Sequence, residues 1–203
     1  MKTRALLLAL PLLALAGCRD NRASITLTGI CSLTASCTFA GKCDAYLAGE
    51  PVIDAATSAS GILTIFVEAE NQAPDNTDRD IYRTNTNNAH VDELVVEYSG
   101  LALPRQVMGT QQIVPAGGTS VIAVDLIPGS LGALPALAAY APTAIPREMT
   151  ATVTLRGYFD DGTRFETGEF PVAVGVCSGC VAACTAGIAC PPGNDGQLPR
   201  ACK

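Results

Sequence analysis

The residues of this chain that could do chemistry are its nine cysteines and its single histidine, His90. The cysteines fall into two groups near the two ends of the chain, Cys18, Cys31, Cys37 and Cys43, and then Cys177, Cys180, Cys184, Cys190 and Cys202. Cysteine thiolates act as nucleophiles and metal ligands, and two neighbouring thiols can form a disulfide. The cysteines therefore raise three possibilities, which are redox chemistry, metal binding and covalent cross-linking.

The spacing of the second group favours disulfides. Cys177 and Cys180 form a C-x-x-C motif, but no second, well-separated C-x-x-C completes a zinc ribbon, and the common iron–sulfur spacings do not fit. Val181 stands where c-type haem attachment needs histidine, and the motif follows a strand pattern instead of opening a helix as a thioredoxin-like motif does. We expect disulfides among the eight cysteines after Cys18, no metal and no cofactor. Metal or redox chemistry at Cys177 and Cys180 is the alternative.

The sequence offers little for catalysis. A hydrolase needs a base that deprotonates its nucleophile, and His90 has no Gly-x-Ser-x-Gly motif beside it. Asparagines and an aspartate surround it just before a strand pattern, which predicts a solvated loop residue. Glu68 and Glu70 could act as paired carboxylates, but they share the solvent face of a predicted strand, and the chain has no tryptophan to line a sugar-binding cleft. We expect no catalytic residue and no enzymatic activity.

One polar stretch offers the oxygen ligands that calcium prefers. It comprises Asp75-Asn76-Thr77-Asp78-Arg79-Asp80, followed by Asn85, Asn87, Asn88 and Asp92. Ile81 stands where a helix-flanked calcium loop needs glycine, and the closing glutamate is missing. A solvated loop between two strands is the favoured interpretation, and calcium binding is the alternative.

The amino terminus has the three-part layout of an export signal. Lys2 and Arg4 precede an apolar run over residues 5–16, and small residues follow. A helix that crosses a bilayer needs about 20 apolar residues, whereas runs of about 10–14 are typical of a signal peptide. The pattern predicts that residues 1–17 are removed.

The cleavage region, Leu15-Ala16-Gly17-Cys18, resembles the lipobox of bacterial lipoproteins. The resemblance implies acyl chains on Cys18, and two or more chains make membrane attachment stable. In the sorting rule of that family, aspartate directly after the cysteine favours retention at the inner membrane. Arg19 occupies that position, so we expect a lipid anchor in the outer membrane, with the leaflet left open.

The composition bounds the size and the partners of the processed chain. Removing 17 of 203 residues leaves 186, enough for one main domain. Lys2 and Arg4 leave with the signal, so 11 basic and 19 acidic side chains remain, with a formal charge of −8. No basic cluster is present, which argues against binding to nucleic acid.

Alternating apolar and polar residues predict strands from residue 61 onward. The apolar positions of the first three strands are Leu63, Ile65, Val67 and Ala69, then Leu94, Val96 and Tyr98, then Ile122, Val124 and Leu126. The clearest element is a hairpin over 149–176 that turns at Asp160-Asp161-Gly162-Thr163 and breaks near Gly168. Residues 130–142 fit a short helix, with a hydrophobic docking loop as the alternative.

Short strands with one apolar face and no long helical period predict an all-β fold, an antiparallel β-sandwich. Residues 61–176 resemble the immunoglobulin-like and fibronectin type III-like modules of bacterial surface proteins, and the cysteine-rich ending is similar to tails of uncharacterised Gram-negative envelope lipoproteins. The predicted organisation is a signal peptide (1–17), a lipid-anchored segment (18–60), the sandwich (61–176) and a cysteine-rich tail packed on it (177–203).

Parity restricts the disulfides. After Cys18, the first group holds three cysteines and the second holds five. If all eight pair within the chain, one or three bridges must join the two groups, so the amino- and carboxyl-terminal segments are stapled together. The individual pairings stay open.

These observations predict a non-enzymatic binding or structural module of the cell envelope. Its expected partners are a membrane, through the lipid anchor, and possible further envelope proteins. The alternatives are an envelope enzyme or thiol-redox protein that uses Cys177 and Cys180, and an accessory subunit of a larger envelope complex.

Overall fold

The computed structural model describes residues 24–34, 39–56, 62–73, 87–129 and 133–180. These residues form nine strands and one short helix, α1 (Ala133–Tyr140). The strands, in chain order, are β1 (Ile25–Ile30), β2 (Val52–Asp54), β3 (Leu63–Asn71), β4 (Ala89–Ser99), β5 (Gln106–Val114), β6 (Thr119–Ile127), β7 (Arg147–Phe159), β8 (Arg164–Glu166) and β9 (Phe170–Cys177).

The strands form two sheets. One sheet has three antiparallel strands in the order β1-β3-β6, and the other has six, in the order β2-β9-β7-β4-β5 with β8 beside β7. Labelled as in immunoglobulin-like domains, the order is A-B-E in one sheet and G-F-C-C′ in the other, with β2 added beside the G strand. The all-β, immunoglobulin-like sandwich that the sequence predicts is therefore confirmed. One pair departs from the antiparallel rule, because β2 runs parallel to β9.

Period-two patterning explains how the sheets bury a common core. Along β3, every second residue from Leu63 to Asn71 is buried and the residues between them are half-exposed. Ile65 and Val67 thus face β7 residues such as Val153 and Leu155, which are all 0% exposed. The helix α1 adds Leu137 to this core. Residues 133–140 form a helix, as the sequence predicts.

The predicted hairpin near the carboxyl end is confirmed. Strand β7 ends at Phe159, whose carbonyl accepts the N–H of Gly162 at 2.8 Å. Gly162 has φ of +80°, a conformation that a residue without Cβ adopts at low cost. The return strand is split into β8 and β9, with the gap at residues 167–169. Both the turn and the break near Gly168 lie where the sequence predicts them.

Three strands lie where the sequence analysis assigned none. Strands β1 and β2 lie before residue 61, yet β1 pairs with β3 and β2 pairs with β9, so the sheets begin at Ile25. Strand β5 reads QVMGTQQIV, in which polar residues interrupt the apolar alternation. Among the described strands it pairs only with β4, so it forms an edge of the sheet. A strand at an edge need not bury a regular set of apolar side chains, so its sequence shows little apolar alternation.

Candidate functional site

The first cysteine group contributes a disulfide between Cys31 and Cys43, with 5.1 Å between the Cα atoms. Cys31 pairs with Tyr46 in an isolated antiparallel bridge beyond the end of β1. The Phe39 ring stacks on Phe66 of β3, with 4.4 Å between the ring centroids. Phe39, which lies between the two cysteines in the chain, thus covers part of the outer face of the three-stranded sheet.

Glu68 lies on that outer face, as the sequence predicts, and it has a partner from the chain that follows Cys43. The Tyr46 hydroxyl donates a hydrogen bond to Glu68 Oε2, and this bond raises the pKa of Tyr46. Thr28 Oγ1 donates to the same carboxylate oxygen at 3.0 Å. Glu68 therefore holds Tyr46, which follows Cys43 in the chain, and Thr28 of β1 together on the outer face of the sheet, which is a structural role.

The second disulfide joins Cys177 and Cys180, the C-x-x-C cysteines, with 5.8 Å between the Cα atoms. Cys177 is the last residue of β9 and is fully buried, whereas Cys180 is half-exposed. The carbonyl of Cys177 accepts the N–H of Ala55 at 2.8 Å, and the N–H of Ser178 donates to the Thr143 carbonyl at 2.8 Å. Neighbouring backbone thus fixes the C-x-x-C loop on both sides.

A buried aspartate lies beside this disulfide. Asp54 is 4% exposed and pairs with Cys177 across the parallel β2–β9 ladder. Its Oδ1 atom accepts the N–H of Ala56 at 2.9 Å and the N–H of Gly179 at 2.8 Å. A carboxylate oxygen of Asp54 and the two sulfurs all lie within 4.8 Å of one another. Sequence reasoning missed Asp54 because its partner Gly179 is 125 residues away and no local motif marks it.

His90 lies inside strand β4, so the prediction of a loop residue is wrong. Its neighbours Ala89 and Val91 are buried, and strand β4 begins at Ala89, before the apolar alternation that starts at Leu94. The Nε2 atom lies 2.6 Å from Asp160 Oδ1, and the ring stacks on Tyr158 with 5.0 Å between the centroids. Among the described residues, no hydrogen bond joins His90 to a hydroxyl or a thiol, so the pair has no nucleophile there.

Asp160 is the acceptor at the centre of this cluster. Asn88 donates to Asp160 Oδ2 from its backbone N–H at 3.1 Å and from Nδ2 at 2.9 Å. The hydrogen bond from His90, followed by the one from the Asn88 backbone, lowers the pKa of Asp160. The cluster therefore ties the start of β4 to the turn after β7 and holds Asp160 in its charged form.

The polar stretch proposed for calcium is divided in the structure. Residues 75–80 and Asn85 lie outside the described residues, so calcium binding there stays a prediction. Asn87 exchanges hydrogen bonds of 3.3 Å with Asp161, and the Asn88 side-chain oxygen accepts the N–H of Ala116 at 3.2 Å. The Oδ2 atom of Asp92 lies 3.8 Å from Nη1 of Arg164. The described part of the stretch thus binds to neighbouring protein groups.

Five of the nine cysteines also lie outside the described residues. They are Cys18, Cys37, Cys184, Cys190 and Cys202. Lipidation at Cys18 and the pairing of the other four stay predictions.

Comparison with known proteins yields no family and a weak structural likeness. No protein-family model matches the sequence, and no curated protein matches it. Among solved structures, a bacterial immunoglobulin-like domain from the M. primoryensis ice-binding adhesin is similar to this chain at 17% sequence identity. The match covers 65% of this chain and 98% of that domain, with a TM-score of 0.21. A likeness at this level carries no argument about function.

Proposed function

We propose that the chain is a cell-envelope lipoprotein, anchored in the outer membrane by acyl groups on Cys18, that acts as a non-enzymatic binding or structural module. The observation that carries the proposal is Leu15-Ala16-Gly17-Cys18 at the end of a 12-residue apolar run, residues 5–16, which itself follows a charged start. Among the described residues, no helix has the length and apolar composition needed to cross a bilayer. Membrane attachment in the proposal rests on the lipid alone.

The position of β1 makes the tether short. Only seven residue steps separate Cys18 from Ile25, where β1 begins, so the linker reaches at most about 25 Å at ~3.5 Å per residue. In the proposal, the sandwich therefore works close to the membrane surface.

The chemistry of the described side chains supports a binding or structural role. His90 is held by Asp160 and Tyr158, Glu68 is held by Tyr46 and Thr28, and four cysteines are paired. The contacts of His90 and Glu68 each join one part of the sandwich to another, and the two disulfides close local loops. We expect no hydrolase or oxidoreductase turnover, and activity that disappears on His90→Ala or Cys177→Ala would contradict this.

A thiol-redox protein is the second candidate, because Cys180 is reachable from solvent and Asp54 lies beside the Cys177–Cys180 disulfide. An accessory subunit of an envelope complex is a third form of the proposal, distinguished by a fixed partner. Affinity purification in mild detergent separates it from an independent module.

The proposal is tested by fractionating cells that express the Cys18→Ser variant. We expect this variant to leave the membrane fraction, because the sulfur that carries the diacylglyceryl group is gone. Cys202→Ser is the matched control, since it removes one cysteine at the far end of the chain and should remain with the membranes. Retention of the Cys18→Ser variant in the detergent-rich phase would refute the lipoprotein proposal.

A further inference from the structure

Asp54, Cys177 and Cys180 supply the donor set of a site for a thiophilic divalent cation. Zinc is bound tetrahedrally by cysteine sulfur at about 2.3 Å and by carboxylate oxygen at about 2.0–2.2 Å, which separates neighbouring ligand atoms by about 3.6–3.8 Å. Here one atom from each of the three residues lies within 4.8 Å of the other two. The two sulfurs are bonded to each other, so they reach the spacing that the metal requires only after the S–S bond is broken and their side chains rotate apart.

The fold holds these three residues together from two distant parts of the chain. The β2–β9 ladder places Asp54 opposite Cys177, and the N–H of Gly179, inside the C-x-x-C loop, donates to Asp54. The N–H of Ala56 donates to the same oxygen. Hydrogen bonds of this kind orient a ligating carboxylate and are typical of the shell around metal ligands.

Burial sets the direction of entry. Asp54 and Cys177 are buried and Cys180 is half-exposed, so an ion would enter from the side of Cys180. Three protein ligands leave one tetrahedral position for water or an exchangeable ligand, as in sites that exchange or activate their ligand.

We propose that Asp54, Cys177 and Cys180 form a redox-gated site for a divalent, thiophilic cation such as zinc, closed while the two cysteines are disulfide-bonded and open after their reduction. A buried Cys177 thiolate beside the buried Asp54 carboxylate is unfavourable unless a cation compensates their charge. The cation supplies that compensation, and soft sulfur ligands select zinc-like ions over calcium or magnesium. This proposal does not depend on the lipid anchor.

Opening the site consumes a reductant. With a phosphine, the S–S bond breaks, the phosphine is oxidised to phosphine oxide with the oxygen of a water molecule, and the two hydrogens of that water protonate the two sulfurs. Binding of the divalent cation then releases these two protons as the two metal–sulfur bonds form. Reoxidation by a small-molecule disulfide, which is itself reduced to two thiolates, would re-form the S–S bond and expel the cation.

The proposal is tested with Co²⁺ as the probe, on the full chain before and after anaerobic phosphine reduction. Tetrahedral thiolate coordination gives Co²⁺ a charge-transfer band and intense d–d bands, which report the number of ions bound and their affinity. We expect these bands in the reduced chain alone. Asp54→Asn and Cys180→Ser should each weaken Co²⁺ binding at least about tenfold.

Matched controls separate this site from the other thiols that reduction releases. Cys43→Ser removes one thiol elsewhere, and Asp44→Asn removes an exposed aspartate beside it. Both should bind Co²⁺ within about twofold of the parent chain. Asp54→Asn keeps an oxygen that can accept the N–H groups of Ala56 and Gly179, and circular dichroism checks the fold of each variant. Equal binding by Asp54→Asn or by the oxidised chain, or no thiolate bands after reduction, would overturn the proposal.

Discussion

Gly157 shows how tightly single positions of this sandwich are packed. It lies on β7 opposite Val91 of β4, next to the point where the register between these strands shifts. A Cβ atom added at Gly157 would lie 2.0 Å from the His90 carbonyl oxygen and 2.9 Å from Cζ of Phe165. Because the oxygen belongs to the backbone of a central strand, it cannot move aside as a flexible side chain can.

We predict that Gly157→Ala lowers the free energy of unfolding by about 3 kcal/mol, the upper end of the usual cost of overpacking. Urea denaturation with the disulfides intact measures the change. Gly109→Ala is the matched control, because Gly109 lies in the neighbouring edge strand β5 with nothing within 4 Å of its added Cβ. Its effect should stay within about 0.5 kcal/mol. Equal effects of the two variants would contradict the packing around Gly157.

A hydrogen bond from Tyr98 joins strands of the two sheets. It lies on β4 in the six-stranded sheet, and its hydroxyl donates to the carbonyl of Leu126 on β6 in the three-stranded sheet at 2.6 Å. Burial raises the pKa of Tyr98 to about 12. The neutral phenol therefore stabilises the fold below the ordinary tyrosine pKa of about 10, and this contribution is lost as the pH rises through about 12.

We predict that Tyr98→Phe lowers the free energy of unfolding by about 1 kcal/mol at neutral pH, through loss of the hydrogen bond to Leu126. The difference from the parent chain should shrink between about pH 10 and pH 12, because Tyr98 ionises near pH 10 in the unfolded parent chain but only near pH 12 in the folded one, which favours unfolding. Tyr158→Phe changes an exposed tyrosine and is the control, which should keep the pH dependence of the parent. A Tyr98→Phe difference that stays constant up to pH 12 would contradict the buried phenol.

The elements differ in how far the sequence determines them. Strands β3, β6 and β7 bury one face, so their apolar alternation predicts both the strand and the face that meets the core. Strand β5 exposes every second residue at an edge and carries little of that signal. Strands β1 and β2 are short or irregular, with a register shift between Leu27 and Gly29, and long-range pairing stabilises them.

The residues of the candidate sites likewise differ in how clearly the sequence reveals them. The cysteines are visible in the sequence because their type and number are informative by themselves. Asp54 and Asp160 are not, since each acquires its role from a residue far away in the chain. Local patterns contain no information about which strands lie side by side, and that arrangement decides both sites.

At the scale of the whole molecule, the two described disulfides restrict the parity argument. Cys31–Cys43 and Cys177–Cys180 are both local, which leaves Cys37 in the first group and Cys184, Cys190 and Cys202 in the second. If all eight cysteines pair, one bridge must join Cys37 to the second group. The β2–β9 ladder already brings the amino- and carboxyl-terminal segments of the sandwich together.

We predict one disulfide between Cys37 and one of the three carboxyl-terminal cysteines, and one between the remaining two. The cross-link encloses more than 100 residues, a loop for which the chain-entropy model gives about 4.7 kcal/mol of stabilisation. Peptide mapping without reduction, after alkylation of free thiols at acidic pH, identifies the pairs. An alkylated Cys37, or a disulfide that joins Cys37 to a cysteine other than Cys184, Cys190 or Cys202, would exclude the staple.

Attachment of the whole molecule to the membrane depends on one proposed event, in which Cys18 becomes the first residue of the mature chain and is acylated. Mass spectrometry of the amino-terminal peptide, from protein extracted from membranes with detergent, tests it most directly. The account predicts a peptide that begins at Cys18 and carries the mass of a diacylglyceryl group on sulfur together with an acyl group on its amino nitrogen. A mature chain that begins at another residue, or one that begins at an unmodified Cys18, would contradict it.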